Sequence, residues 1–322
     1  MLWFSLALAA VLLYLTLRGL DWSAFWNAIR NGHYQILLLT VPIASASYFL
    51  RGVRWSVLVR SEAQVPILSV FWANMVGYMG NAYLPARAGE LLRSAFLGQK
   101  GGLGTSFVLA TALSERILDA VALVLIGSVA LLSQGSMPPA LANGVRAMAA
   151  VGLLGLAVIL LAPFQEKRIV RILGRLPLTE KVAQTISRQA VRFLVGMRSL
   201  QNAPRMLTFV GLTAIVWLMD ALGASLGARI ISQTLDLGQA LVLLAALGLS
   251  SAIPSTPGYV GVYQFVAVTV LVPFGFSRSD ALAYILILQV MNYAVVTFWG
   301  LLGLWQLNRS GKSDLGPIPG AE

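Results

Sequence analysis

Apolar stretches long enough to cross a bilayer recur along this chain and leave it few folds to adopt. Leu2–Leu17, Tyr34–Leu50, Leu103–Leu132, Val145–Pro163, Met206–Ile230 and Ala281–Leu307 approach or exceed the ~20 residues of a transmembrane helix. Inside hydrocarbon every backbone polar group needs an internal partner, so such stretches become helices packed on helices. Composition agrees, with 58% of the 322 residues hydrophobic and 11% charged, against roughly 25% charged in a soluble domain. A water-soluble fold is excluded. The first stretch has no basic residues before it and no small-residue cleavage site after it, so it reads as a retained span rather than a signal peptide.

Several chemistries are excluded with it. Cysteine is absent, which removes disulfides, thiolate zinc sites and thiol nucleophiles. The single His33 sits beside Gly32 in a short loop. There is no P-loop or dinucleotide fingerprint, so neither a cofactor nor a metal is expected, and the chain is expected not to be an enzyme. The net charge of +11 is concentrated between Lys167 and Arg205. Two readings fit this basic stretch: a cytoplasmic loop obeying the positive-inside rule, or a segment lying on anionic lipid, with Ile186, Ala190, Phe193 and Leu194 at helical spacing. Topology accounts for the charge, so no nucleic-acid role is expected.

Loop charges set an expected topology. The basic loop, Arg51, Arg54 and Arg60 after the second span, and Arg309 and Lys312 at the end all point inside. The uncharged Ser133–Gly144 points outside. Met206–Ile230 then crosses outward and Ala281–Leu307 returns, so Gly238–Phe276 must begin and end outside. This region is broken at Pro254–Gly261 into arms too short to span. By the same parity Pro66–Gly98, broken at Pro85–Gly89, enters and leaves on the cytoplasmic side. The expected fold is an all-α polytopic membrane protein of about six full spans and two re-entrant helical hairpins, arranged as inverted repeats over about 34–132 and 206–307. Such repeats, with broken helices meeting near the midplane, mark many secondary transporters. Eight ordinary spans is the alternative. Residues 1–310 form a single transmembrane domain, with a basic loop at about 164–205, a short tail at 311–322 and both termini cytoplasmic.

Charges at membrane depth are costly and tend to be functional. The first break carries Arg87, Glu90 and Arg93; Glu90 can pair with either arginine and leave the other for a phosphate. Within Leu103–Leu132, Glu115 and Asp119 share a face and Arg116 can pair with Asp119; salt-bridge and substrate or proton roles both stay open. Arg51 and Arg54 are headgroup contacts or interfacial anchors. Asp220 is an acid in the second half, and Asn74, Asn81, Gln264, Gln289 and Asn292 add uncharged polar groups.

Arg51-Gly52-Val53-Arg54-Trp55, Pro85-Ala86-Arg87-Ala88-Gly89-Glu90-Leu91-Leu92-Arg93, Ser114-Glu115-Arg116-Ile117-Leu118-Asp119 and Pro257-Gly258-Tyr259-Val260-Gly261 occur in an order that resembles the lysylphosphatidylglycerol synthase transmembrane, or flippase-like, family over roughly residues 40 to 305. The resemblance implies a translocase of phospholipid or lipid-linked headgroups in the bacterial cytoplasmic membrane. It also implies that Arg87, Glu90, Arg93, Glu115, Arg116 and Asp119 form the polar core. Pro257, Gly258, Gly261 and Gln264 would complete the site from the second break. The partners implied are an anionic or aminoacylated phospholipid or a polyprenyl-linked lipid, with a homo-oligomer or a separate lipid-modifying enzyme as further partners. The family's second break commonly reads Pro-Gly-Gly-x-Gly-x-x-Glu; here Tyr259 and Gln264 stand at the second Gly and the Glu. No aminoacyl-transferase domain accompanies the resemblance, so synthesis of lysyl-lipid is not expected. The rival functions are an intramembrane enzyme using Glu115 or Asp119 as base, and a non-transporting partner that anchors a cytoplasmic enzyme.

Overall fold

A computed structural model describes residues 2–60, 64–84, 88–100, 103–133, 139–161, 202–251 and 256–309. The basic stretch from Lys167 to residue 201, the tail beyond 309, and Pro85 and Arg87 at the first break lie outside the described residues. Among the described residues the secondary structure is entirely helical. The helices are α1 (Leu2–Leu17), α2 (Trp22–Arg30), α3 (Leu37–Val59), α4 (Ile67–Tyr83), α5 (Gly89–Lys100), α6 (Thr105–Leu132), α7 (Pro139–Leu161), α8 (Ala203–Ala228), α9 (Leu237–Ser250), α10 (Val262–Leu271) and α11 (Arg278–Arg309).

Four stretches are long and apolar enough to cross a membrane: Tyr34–Val59, Ala203–Ile231, Pro257–Phe274 and Arg278–Arg309. The α1 stretch does not continue straight. After Leu17 the chain bends by 92° into α2, which starts where the Asp21 carboxylate accepts the amides of Ser23 and Ala24. The Ser23 hydroxyl, which also donates to this carboxylate, and then those amides hold the Asp21 carboxyl below its usual range. Trp22, Phe25 and Trp26 stack edge to face on this short helix, an amphipathic segment the apolar-run reading passes over. Helix α6 is long enough, at 28 residues, but carries Glu115, Arg116 and Asp119 in its middle.

Two breaks fall where proline and glycine foretell them. Helix α4 ends at Tyr83 and α5 begins at Gly89. In the second half α9 is 14 residues, below the ~20 a span needs, and α10 itself only 10, reaching the length of the Pro257–Phe274 stretch only with the short 3-10 turns on either side of it. Between α9 and α10 Gly258, Tyr259 and Gly261 take φ values of 68°, 61° and 88°, so no α-helix can run through. One boundary differs from expectation. Helix α3 continues past Leu50 to Val59, which makes Arg51 and Arg54 helix residues rather than members of a cytoplasmic loop. Their charges therefore say nothing about which side is inside. Acids on α6 and α8 compensate them, and the helix has no reason to stop.

The helices pack as a chain of pairs. Neighbours in the chain pack on one another: α3 on α4, α4 on α5, α5 on α6, then α8 on α9, α9 on α10, α10 on α11. Between halves α3 lies along α8, α4 along α11 and α6 along α9. Glycine makes the closest crossings possible. A Cβ at Gly89 would stand 1.9 Å from the Gly77 carbonyl oxygen, and one at Gly303 2.9 Å from the Trp72 carbonyl. Small residues that let backbones touch are the usual means of packing helices in lipid.

Gly89→Ala should therefore force α4 and α5 apart at an overpacking cost of about 1–3 kcal/mol. Gly211→Ala, where an added Cβ meets nothing within 4 Å, should be neutral. Monodispersity after heating in detergent, compared between the two variants, checks this.

Candidate functional site

The charged residues form one closed ring. Arg54 of α3 donates through Nη1 to Asp119 Oδ1 at 2.6 Å and through Nη2 to Asp119 Oδ2 and Glu115 Oε1, both at 2.9 Å. Glu115 accepts from Arg93 Nη1 at 3.0 Å, and Arg93 Nη2 lies 2.5 Å from Glu90 Oε2. Glu90 accepts from Arg116 Nε at 2.9 Å, and Arg116 Nη1 closes the circuit 3.8 Å from Asp119. Three arginines and three carboxylates alternate around it.

Helix geometry explains how three elements supply six charges. Glu115 and Asp119, one turn apart on α6, present two carboxylates to the single planar fork of Arg54. Glu90 and Arg93, three apart on α5, pair along the return arm and reach α6 together. Arg93 also donates to Asn74 of α4 at 2.7 Å and lies 4.4 Å from the Trp55 ring centroid. Arg54, Arg93 and Glu115 are essentially without exposure, while the Arg116 side chain keeps 26%. Full burial of a charge is tolerable only with partners of this quality.

Two of the expected roles change in this arrangement. Glu90 pairs with Arg93 and Arg116, so Arg93 is not left over for a phosphate. Arg54 lies at the centre of the ring rather than at an interface. Arg51, one turn earlier, pairs with Asp220 of α8, which also accepts from the Ser47 hydroxyl. The Arg51–Asp220 pair thus joins the first half to the second.

Beside the ring lies a cavity of about 770 Å³. Arg116, Glu90 and Asp119 of the ring border it, as do Arg51 and Asp220. Asn81 and Ala82 border it beside the first break, Gly258 and Tyr259 beside the second. Aromatic rings fill the wall between: Tyr78 beneath Arg116 at 5.5 Å, Trp217 beneath Arg51 at 5.0 Å, and Tyr48 against Tyr78. Tyr78 Oη, Asn81 Oδ1 and Trp217 Nε1 are buried atoms without a hydrogen-bond partner. Buried polar atoms are seldom left in that state.

The second break is built from neutral groups. The Gly258 carbonyl accepts from Gln289 at 2.7 Å and from the Tyr293 hydroxyl at 2.6 Å. Gln264 accepts the Gly261 amide and donates to Gln289, so it caps the start of α10 and does not border the cavity. Gly261 is likewise turned away, toward Ala9 of α1. Tyr259 stacks on Tyr263 with ring centroids 4.7 Å apart.

Sequence reasoning missed the aromatic wall and the pairing of Arg51 with Asp220. Tyr48, Tyr78 and Trp217 look like ordinary interior residues. Two carboxylates on one face of α6 were a usable signal, because they demand a cation from outside that helix.

These features define a polytopic helical membrane protein with an ion-lined cavity bordered by two breaks in its helices. The chain belongs to the lysylphosphatidylglycerol synthase TM region family, whose sequence pattern matches residues 2–300. It is also similar to the protein named Glycosyltransferase AglD of Haloferax volcanii, with 23% identity over 345 aligned positions that cover 95% of this chain and 53% of the relative. The chain thus spans about half the length of that relative. No solved structure matches it significantly.

Removing one partner of a buried pair costs about 3–5 kcal/mol. Glu115→Ala, which strands both Arg54 and Arg93, should lower thermal stability by that order. Asp220→Asn should cost clearly less, because the Asp220 side chain keeps 20% exposure. Parallel unfolding curves in one detergent measure the difference.

Proposed function

We propose that this protein is a lipid translocase that carries a phospholipid or lipid-linked headgroup through the cavity between its two broken hairpins. The carrying observation is that a charged, partly unsatisfied cavity is bordered by both breaks within an otherwise apolar helical body. Irregular backbone at membrane depth is tolerated where it lines such a cavity. The pairing of α3 with α8, α4 with α11 and α6 with α9 is unchanged when the two halves are exchanged, as an inverted repeat requires. This supports alternating access by rocking one half against the other. Each hairpin then enters from its own side, the first from the cytoplasm, with both termini cytoplasmic in a bacterial inner membrane.

In this mechanism Arg116 is the cation that meets the headgroup. It alone in the ring is appreciably exposed, and its 3.8 Å link to Asp119 is the weakest edge. A phosphate can take the Asp119 side of its guanidinium while Glu90 holds the other. The fully buried members keep α3, α5 and α6 together during this exchange. Tyr259 supplies contact from the second side. Its left-handed backbone, with φ 61°, costs of order 1–3 kcal/mol, and strain of this kind clusters at ligand-holding sites.

The test is proteoliposomes with headgroup-labelled phosphatidylglycerol, its aminoacylated form and a polyprenyl-phosphate lipid. Movement above protein-free vesicles is expected for at least one of them. Arg116→Ala should slow it at least tenfold with a smaller stability loss than Glu115→Ala, and Tyr259→Gly should change the rate without lowering the melting temperature. No movement for any of these lipids would defeat the proposal. A second reading, an intramembrane enzyme on a lipid-linked substrate, draws on the name of the AglD relative. Mass spectrometry of the same lipids separates the two, since a translocase leaves their covalent structure unchanged.

A further inference from the structure

A lipid whose headgroup sits inside a protein still has hydrocarbon chains, and they need an apolar path at the same depth. On the far side of the α3–α11 seam lies a second hollow of about 810 Å³. The two hollows are separated by one layer of helix. On α3, Ala44 and Tyr48 face the cavity, whereas Val41 and Ser45 face the groove. On α11, Gln289 and Asn292 face the cavity and Val290 and Ala294 the groove, while Met291 borders both.

The seam itself is lightly held. Helices α3 and α11 touch much less than α3 touches α8 or α11 touches α4. Across it Tyr48 Oη donates to Asn292 Oδ1 at 2.6 Å and Trp299 Nε1 to Ser45 Oγ at 3.1 Å. No ion pair joins these two helices among the described residues. Pro42 lies within α3 at this level, where it removes a backbone hydrogen bond and gives the helix a place to bend.

We infer that the groove outside α3 and α11 is a binding site for the hydrocarbon chains of the transported lipid, and that the seam is the slot through which its neck passes. This rests on the translocase reading. From Leu286 to Trp299 the groove follows α11 for about 20 Å, longer than one leaflet of a ~30 Å hydrocarbon core. Chains can therefore follow the headgroup across the midplane without leaving an apolar surface. The groove is almost wholly apolar and the cavity charged, which is the division an amphipathic ligand requires.

Because the chain lacks cysteine, introduced thiols report without background. In Ser45→Cys/Trp299→Cys a short reversible bis-thiosulfonate linker should reduce movement of headgroup-labelled phosphatidylglycerol at least tenfold, with recovery on reduction. Unchanged movement in fully linked protein overturns the slot. A measurement independent of transport tests the groove: bimane on Val290→Cys in vesicles containing nitroxide-chain phosphatidylglycerol. Quenching there should saturate at a lower mole fraction than bimane on Val129→Cys, a similarly exposed position on α6. Identical quenching curves overturn the groove, whether or not the protein moves lipid. Wild-type protein that moves no lipid while the groove still saturates defeats the translocase reading and the slot, and leaves a chain-binding site.

Discussion

Everything in the first half hangs on the bidentate grip of Arg54 by Asp119 and its third bond to Glu115. A guanidinium with no exposure is intolerable in an apolar body unless its charge is answered at hydrogen-bonding distance. Once α6 supplies both acids, α3 and α6 cannot separate. Glu115 then has one oxygen left, which Arg93 takes, and Arg93 brings the return arm α5 with it. The ring therefore does for this half what hydrophobic burial does in water, where lipid offers little drive for one apolar helix to prefer another. It also places its most exposed member, Arg116, at the cavity wall.

The two halves solve the same geometric problem with different chemistry. A break in a helix exposes amides and carbonyls that must be paired at depth. At the first break charged side chains lie close by, with Asn81 donating to Glu90 across it. At the second, Gln264, Gln289 and Tyr293 pair the backbone of Gly258 and Gly261 directly. Neutral amides suffice there because no charge has to be held. The glutamine at position 264, where the family commonly has an acid, thus keeps a capping function without adding a charge next to the cavity.

The helical class and the two breaks, after Tyr83 and after Ser250, were legible from the sequence. Apolar length and Pro–Gly breaks are local signals, and they located α4, α5, α9 and α10 within a few residues. Partner choice was not legible. Spacing along one helix offered Arg116 to Asp119, but the structure gives Arg116 mainly to Glu90 and Asp119 to Arg54, across helices that no local pattern relates. The same limit misread Arg51 and Arg54. A basic residue at the end of an apolar run looks like an anchor until an acid from a distant helix is found beside it. The cavity aromatics carried no signal at all, because a tyrosine in a wall and a tyrosine in a core are written alike.

The order in which these contacts become available during synthesis follows from where they lie in the chain. All six ring residues fall between positions 54 and 119, so the ring can close as soon as α6 has emerged. The face of α4 that packs on Gly300 and Gly303, by contrast, waits for α11, and Arg51 waits for Asp220. At ~5–20 residues per second the nascent chain holds an unfinished first half for tens of seconds. An ionic clasp that needs nothing from downstream keeps the hairpin and its charges together through that interval.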